Sequence, residues 1–177
     1  GEIQAEQITD WSSWEELSAT PGITATAFPS TEVDYVGMNV ARPPLDDPHV
    51  RLAIANAIDR DAIIKAVLYG NGTPANSIMP KGVPFYNPDN PGPTFDLEKA
   101  KAEMAASTVP DGFTTTMLVK AGDATQAAIA QILQSELQPL GIKLEIEQQE
   151  ATAQKARRFA TDYDIAIGAW TMDIPDP

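Results

Sequence analysis

This 177-residue chain predicts an α/β layer architecture: a mixed, largely parallel sheet with helices on both faces. Three observations carry that reading. From Asp96 onward the periodicities run helix, strand, helix, strand, helix, strand, an order that favours parallel pairing through crossover helices. The closing run 163–170 alternates as a strand does and delivers Trp170 and the carboxylates Asp173 and Asp176 into a proline-locked loop. Open α/β sheets present ligand sites at such strand tips. The length suits one domain, or one lobe of a larger protein, and can bury a genuine core.

The elements follow in order. Thr9 or Asp10 caps a short helix, and both Ser12-x-x-Glu15 and Ser13-x-x-Glu16 have capping-box spacing. Pro21-Gly22 ends it. Residues 23–28 alternate as a strand, 33–40 read as a second, and Pro29-Ser30 between them is a turn signal, so the two runs are candidates to pair. Asp47-Pro48 is a cap followed by proline at the first helical position, where its missing N–H is harmless. Val50, Ala53, Ile54, Ala57 and Ile58 then make one apolar face. Asp59 caps the next helix, with Ile63, Ile64, Val67 and Leu68 as its buried stripe and Gly70 and Gly72 as its stop.

Residues 73–94 contain six prolines and little periodicity. That is too long for an idle connection, so the segment is either disordered or a packed functional loop. Ile78, Met79, Phe85 and Tyr86 favour packing, since apolar groups gain by burial and proline lowers the entropy cost of ordering. Asp96 caps a helix over 97–106, followed by a strand over 113–119. The longest helix spans 124–140, with Ile129, Ile132, Leu133, Leu137 and Leu140 on one side and Gly141 past its end. A strand over 142–146, a helix over 151–161 and the strand 163–170 complete the chain.

Composition narrows the function. Twelve Lys and Arg against 25 Asp and Glu leave a net charge of −13, which argues against nucleic acid and against anionic membrane surfaces. There is no cysteine, hence no disulfide, thiolate chemistry or Cys-based metal site, and no apolar run long enough to span a bilayer. A single histidine, His49, removes zinc motifs of the HExxH kind and Ser-His-Asp triads, and its place in a first helical turn suits a solvated role. Gly70-Asn-Gly-Thr lacks the Lys and following helix of a phosphate loop. Of the paired carboxylates, only Asp173-x-x-Asp176 lies at an expected cleft, because Asp47, Asp59 and their neighbours serve as caps.

An ordered set of residues through nearly the whole chain resembles the extracellular solute-binding proteins of peptide and nickel ABC importers, solute-binding family 5. The set runs Tyr35-Val-Gly-Met-Asn39, Pro44, Asp47-x-x-Val50-Arg51-x-Ala53, then Ala57-Ile58-Asp59-Arg60. It continues through Ile64, Val67, Gly70, Gly72, Pro74-Ala75, Pro80, Asp96-x-x-Lys99-Ala100-Lys101 and Leu137-x-x-Leu140-Gly141-Ile142, and closes on Tyr163-Asp164, Trp170, Asp173 and Asp176-Pro177. Each piece is weak alone; their order makes the signal. The resemblance implies a type II periplasmic-binding-protein-like lobe occupying 1–177, the C-terminal one of a larger two-lobed protein. Its function would be capture of a small solute, foremost an oligopeptide, for a membrane permease.

The same resemblance implies a non-enzymatic monomer without cofactor or metal, periplasmic or at the cell surface, its signal sequence upstream and its N-terminal lobe elsewhere. It places the ligand on Trp170, Thr171, Met172 and Asp173, with Asp173 holding an α-ammonium and Trp170 walling the pocket. The other reading puts Trp170 in the core and Asp173 in a plain turn. Arg158, beside Arg157, is a candidate for a ligand carboxylate or for a solvated helix face. For Arg51 and Asn39 the block implies scaffold roles, binding loop carbonyls or a carboxylate. Two further function classes remain: a small standalone α/β enzyme using the Asp173 and Asp176 region, and an acidic protein-interaction domain.

Overall fold

Aspartate caps set most of the helix starts. The computed structural model describes Ala5 and residues 11–171. After a 3-10 turn at Trp11–Ser13 come α1 (Trp14–Ala19), β1 (Glu32–Met38), α2 (Pro48–Ala57), α3 (Arg60–Val67), α4 (Leu97–Ala106) and β2 (Thr114–Lys120). Then follow α5 (Ala124–Leu137) with a 3-10 turn at Gln138–Leu140, β3 (Lys143–Gln149), α6 (Ala151–Phe159) and β4 (Ile165–Thr171). Asp47, Asp59, Asp96 and Asp123 accept from the backbone N–H of His49, Ala62, Lys99 and Gln126 at the starts of α2, α3, α4 and α5. Each such cap is worth about 1 kcal/mol, because it satisfies an N–H that has no helical partner.

The four strands form one sheet in the order β1-β4-β2-β3, with β2 parallel to both β3 and β4 and β1 antiparallel to β4. Paired residues share a face, so Val36, Met38, Ile165, Ile167, Met117, Val119, Leu144 and Ile146 point one way. That face packs against the core stripes of α2, α4 and α5: Val50, Ala53, Ile54, Ala57, Ala100, Met104, Ala130, Leu133 and Leu137. The other face carries Tyr35, Gly168, Ala166, Leu118 and Glu147, and α6 lies over it, bonded through Arg157 to Glu147 and through Arg158 to Tyr35. Helices therefore cover both faces of a mixed, mainly parallel sheet.

Several expectations need correction. Residues 23–28 form no strand and Ile23 and Phe28 are exposed; alternation whose apolar side is not buried does not make a strand, and β1 pairs with β4 instead. Ser13 precedes α1 as its cap residue but makes no side-chain cap bond, and Thr9 and Asp10 lie outside the described residues. The α3 stripe is half-buried throughout. The long helix tightens to 3-10 at Gln138, where Pro139 cannot donate to an α-helical ladder. In 73–94, Met79 and Tyr86 are half-buried, but Ile78 and Phe85 are exposed; the segment is tied by bonds such as Asn76 Nδ2 to Asn90 O and Asn90 Nδ2 to Asn76 O.

The scaffold residues have identifiable partners. Arg51 Nη1 donates to the carbonyls of Leu45 and Asp46, both at 2.8 Å. Asn39 Nδ2 donates to the carbonyls of Thr161 and Tyr163, both at 2.9 Å, and its Oδ1 accepts from Ala41 N. His49 is exposed, with Nδ1 2.8 Å from a Glu103 carboxylate oxygen. Among the described residues no helix is long and apolar enough to cross a membrane.

Candidate functional site

The carboxyl ends of β2, β3 and β4 meet the amino end of β1, so one edge of the sheet gathers side chains distant in sequence. Thr171 pairs with Glu32, Trp170 with Val33, and Gly168 with Tyr35. Gly168 and Trp170 are two residues apart on β4 and share a face, about 7 Å apart along the strand. Trp170 is 53% exposed, so it is a surface residue and not part of the core. Beneath it, toward the centre of the strand, lies the guanidinium of Arg158.

Arg158 reaches that place from α6. Its Nη2 donates to the Tyr35 hydroxyl at 2.8 Å. A Cβ on Gly168 would lie 2.6 Å from Arg158 Nη2 and 2.6 Å from Tyr35 Cζ, so both side chains lie against bare β4 backbone. The neighbouring Arg157 is engaged differently: it pairs with Glu147 and Asp162. Hydrogen bonding to the Glu147 carboxylate, with the charges of Glu147 and Asp162, raises its pKa against a smaller desolvation effect. The two adjacent arginines thus divide their work, one locked in carboxylate pairs and one aimed across the strand by a neutral phenol.

The opposite face of the same edge is acidic. Glu32 and Asp34 project there with Thr171 and Ala169, near Asp123 at the start of α5. Desolvation among the strand side chains pushes the Asp34 carboxyl up, and the negative charges of Glu32 and Asp123 push it further. Lys120 at the end of β2 stands 3.9 Å from Asp123 Oδ2. Among the described residues no group of three or more His, Cys, Asp or Glu side chains is placed to hold a metal ion.

Of the five residues singled out by sequence, Trp170 and Arg158 come together on the α6 face, while Thr171 points to the acidic one. Met172 and Asp173 lie outside the described residues. Tyr35 and Gly168 had no assigned site role, yet they place Arg158. The available signal was an isolated glycine inside an apolar strand, which marks close approach of another group. A separate open groove of about 800 Å³ runs between Pro43–His49 and Ala106–Val109. It lies by the amino ends of the parallel strands, away from this edge, and its Asp47 is committed to the N–H groups of His49 and Thr108.

The whole chain, residues 1–177, matches the family of bacterial extracellular solute-binding proteins, family 5 Middle. The glutathione-binding protein GsiB of Salmonella choleraesuis is 33% identical over 135 residues, covering 76% of this chain and 26% of that protein. GsiB of Pectobacterium atrosepticum is 30% identical over 151 residues, 85% of this chain and 29% of the relative. Among solved structures, the periplasmic binding protein DppA of Helicobacter pylori, in complex with the peptide STSA, superposes with a TM-score of 0.89 at 27% identity. That match covers 95% of this chain and 32% of DppA. A dipeptide-binding protein of Pseudoalteromonas sp. SM9913, in complex with Met-Leu, gives 0.86 at 27% identity, over 95% and 34%. The chain thus spans 26% to 34% of the lengths of these relatives.

Proposed function

The chain belongs to the bacterial extracellular solute-binding proteins of family 5, and from that premise we propose that it is one lobe of a two-lobed receptor for small peptides. The carboxyl edge of its sheet would form one wall of an interlobe cleft, closed by hinge motion over the ligand. The loaded protein would hand its cargo to an ABC permease from the periplasm or cell surface, as a monomer and without catalysis. One observation carries this reading: an exposed indole near the carboxyl tip of β4 shares a face with an aimed guanidinium nearer the strand's centre, in an open α/β sheet. An aromatic wall tolerates varied side chains, and a guanidinium fork suits a carboxylate. Short peptides, glutathione among them, are the ligand class that the relatives' names supply.

Within that reading Asp173 holds the peptide's α-ammonium. It follows Trp170 by three residues in the sequence. The experiment is mass spectrometry of ligand co-purified with the full-length protein, followed by calorimetry of Asp173→Ala and Asp173→Asn with a free and an N-acetylated peptide. Wild type should prefer the free amine, and each variant should lose roughly 2–5 kcal/mol and the preference, because a charge is left unpaired in a closed cleft. Unchanged affinity in both variants would make Asp173 a turn residue. The chain by itself, offering one wall, should bind peptides weakly at best.

A further inference from the structure

We propose that Tyr35 and Gly168 are positioning residues that hold Arg158 as a fixed carboxylate-binding fork, making a free carboxylate on the ligand a requirement for tight capture. The inference rests on the peptide-capture reading and adds what that reading leaves open: which ligand group meets this face and which residues set the preference.

Arg158 is half-buried, and among the described residues it takes part in no ion pair. A guanidinium partly removed from water without a counter-charge is unfavourable, and an incoming carboxylate relieves it. The chain carries 25 acidic residues, and its neighbour Arg157 collects two of them, so the missing partner is not for want of carboxylates. The phenol hydroxyl of Tyr35 accepts one N–H at 2.8 Å and leaves the positive charge unneutralised. A guanidinium has five N–H donors, and the remaining ones suffice for a bidentate carboxylate contact.

Geometry then fixes where that contact is made. With hydrogen alone at Gly168, Arg158 Nη2 and the Tyr35 ring both settle onto the β4 backbone. Gly168 does not have the positive φ that restricts side chains, so an alanine there is blocked only by the atoms it would displace. The three nearest atoms are Arg158 Nη2, Tyr35 Cζ and the Tyr35 hydroxyl, the last 2.7 Å from the added Cβ. Alanine would push the fork off the strand and leave the backbone as it is. Trp170 stands two residues farther out on the same face, so a carboxylate on Arg158 places the adjoining ligand atoms against the indole.

The test uses the full-length protein and two probes, the dipeptide Met-Leu and the tetrapeptide STSA, each as free acid and C-terminal amide. Affinities are measured by calorimetry for wild type, Tyr35→Phe, Gly168→Ala and Arg158→Lys, with thermal melts to show that each variant is folded. The wild type should favour the acid over the amide at least tenfold. Each variant should reduce that ratio several-fold, the acid losing more affinity than the amide; Tyr35→Phe, which removes one oxygen, is the variant least able to act through misfolding. Variants that retain the acid preference would overturn the positioning roles. A wild type that binds acid and amide equally would overturn the fork and leave peptide capture standing. A wild type that binds neither form of either probe would remove peptide capture and the fork together.

Discussion

Replacing Glu136 by glutamine should make the chain more stable at pH 8 and leave it unchanged near pH 4.5. Glu136 is a half-buried residue of α5, and both of its carboxylate oxygens lie 3.4 Å from the backbone N of Asp59, at the corner between α2 and α3. Desolvation pushes its pKa up from the ordinary 4.5 to about 7; the Asp59 N–H opposes that rise, and the Asp59 carboxylate adds to it. The folded chain therefore holds this proton where the unfolded chain has released it. The associated stability is fully present below pH 4.5 and is lost as pH rises through about 7. Each tenfold change in proton affinity corresponds to about 1.4 kcal/mol, so the whole rise would give ~3 kcal/mol. Solvent screening of a half-buried group brings this to about 1–2 kcal/mol. Glutamine keeps an acceptor for Asp59 and cannot ionise. Urea denaturation of the wild-type and Glu136→Gln chains at pH 4.5, 6 and 8 reads the difference, with the other titrating groups cancelling between the two proteins. A gap that stays constant across pH, or a glutamine variant less stable at pH 8, would refute the reasoning.

Two other perturbations separate backbone from side-chain causes. Gly112→Ala should destabilise severely, by more than ~3 kcal/mol, because φ is +95° and the new Cβ would lie 2.1 Å from the backbone oxygen of Gly141. Gly122→Ala meets nothing within 4 Å at φ +79°, so it should cost only the ~1–2 kcal/mol of left-handed backbone, and equal losses in both variants by chemical denaturation would defeat this account. Asp164→Asn should cost about 1–3 kcal/mol at pH 7, since the carboxylate accepts from the Thr116 N–H and hydroxyl and pairs with Arg42. Desolvation pushes the Asp164 pKa up, but those bonds outweigh it and hold the pKa below the ordinary 3.8. Its contribution is therefore present above pH 3.8 and lost as pH falls through the lower folded value, so the gap between wild type and variant should narrow on acidification.

Much of the scaffold was legible because local chemistry dictates it. Asp47, Asp59 and Asp96 cap the helices that their positions announce, and Val50, Ala53, Ile54 and Ala57 are all buried at helical spacing. The misreadings share one cause: the pattern was local and the outcome depended on partners. Residues 23–28 alternate as well as any strand here, but a strand also needs its apolar side buried, and Ile23 and Phe28 stay exposed while β1 pairs with β4 alone. Ile78 and Phe85 are apolar, yet nothing in the described residues covers them. At the site, Trp170 was visible as an aromatic at a strand end. The Arg158–Tyr35 contact was not, because it spans 123 residues and depends on which strand lies beside β4.

That dependence links the far end of the sheet to the site. The side chain of Tyr35 reaches Arg158 only if β1 pairs with β4 in its present register, since a slip of one residue would turn Tyr35 to the opposite face. The pairing is secured at the amino end of β4. Asn39 N donates to Asp164 O at 2.8 Å, and the Asn39 amide holds the carbonyls of Thr161 and Tyr163 just before the strand begins. Asp164 in turn grips β2 through Thr116, and Arg42 bridges Asp162 and Asp164. Burying Asn39 with its amide fully used makes any shifted register leave polar groups unpaired, at about 1–3 kcal/mol each. The polar network at one end of the strands thus fixes the side-chain geometry at the other, where the guanidinium and the indole face the cleft we propose.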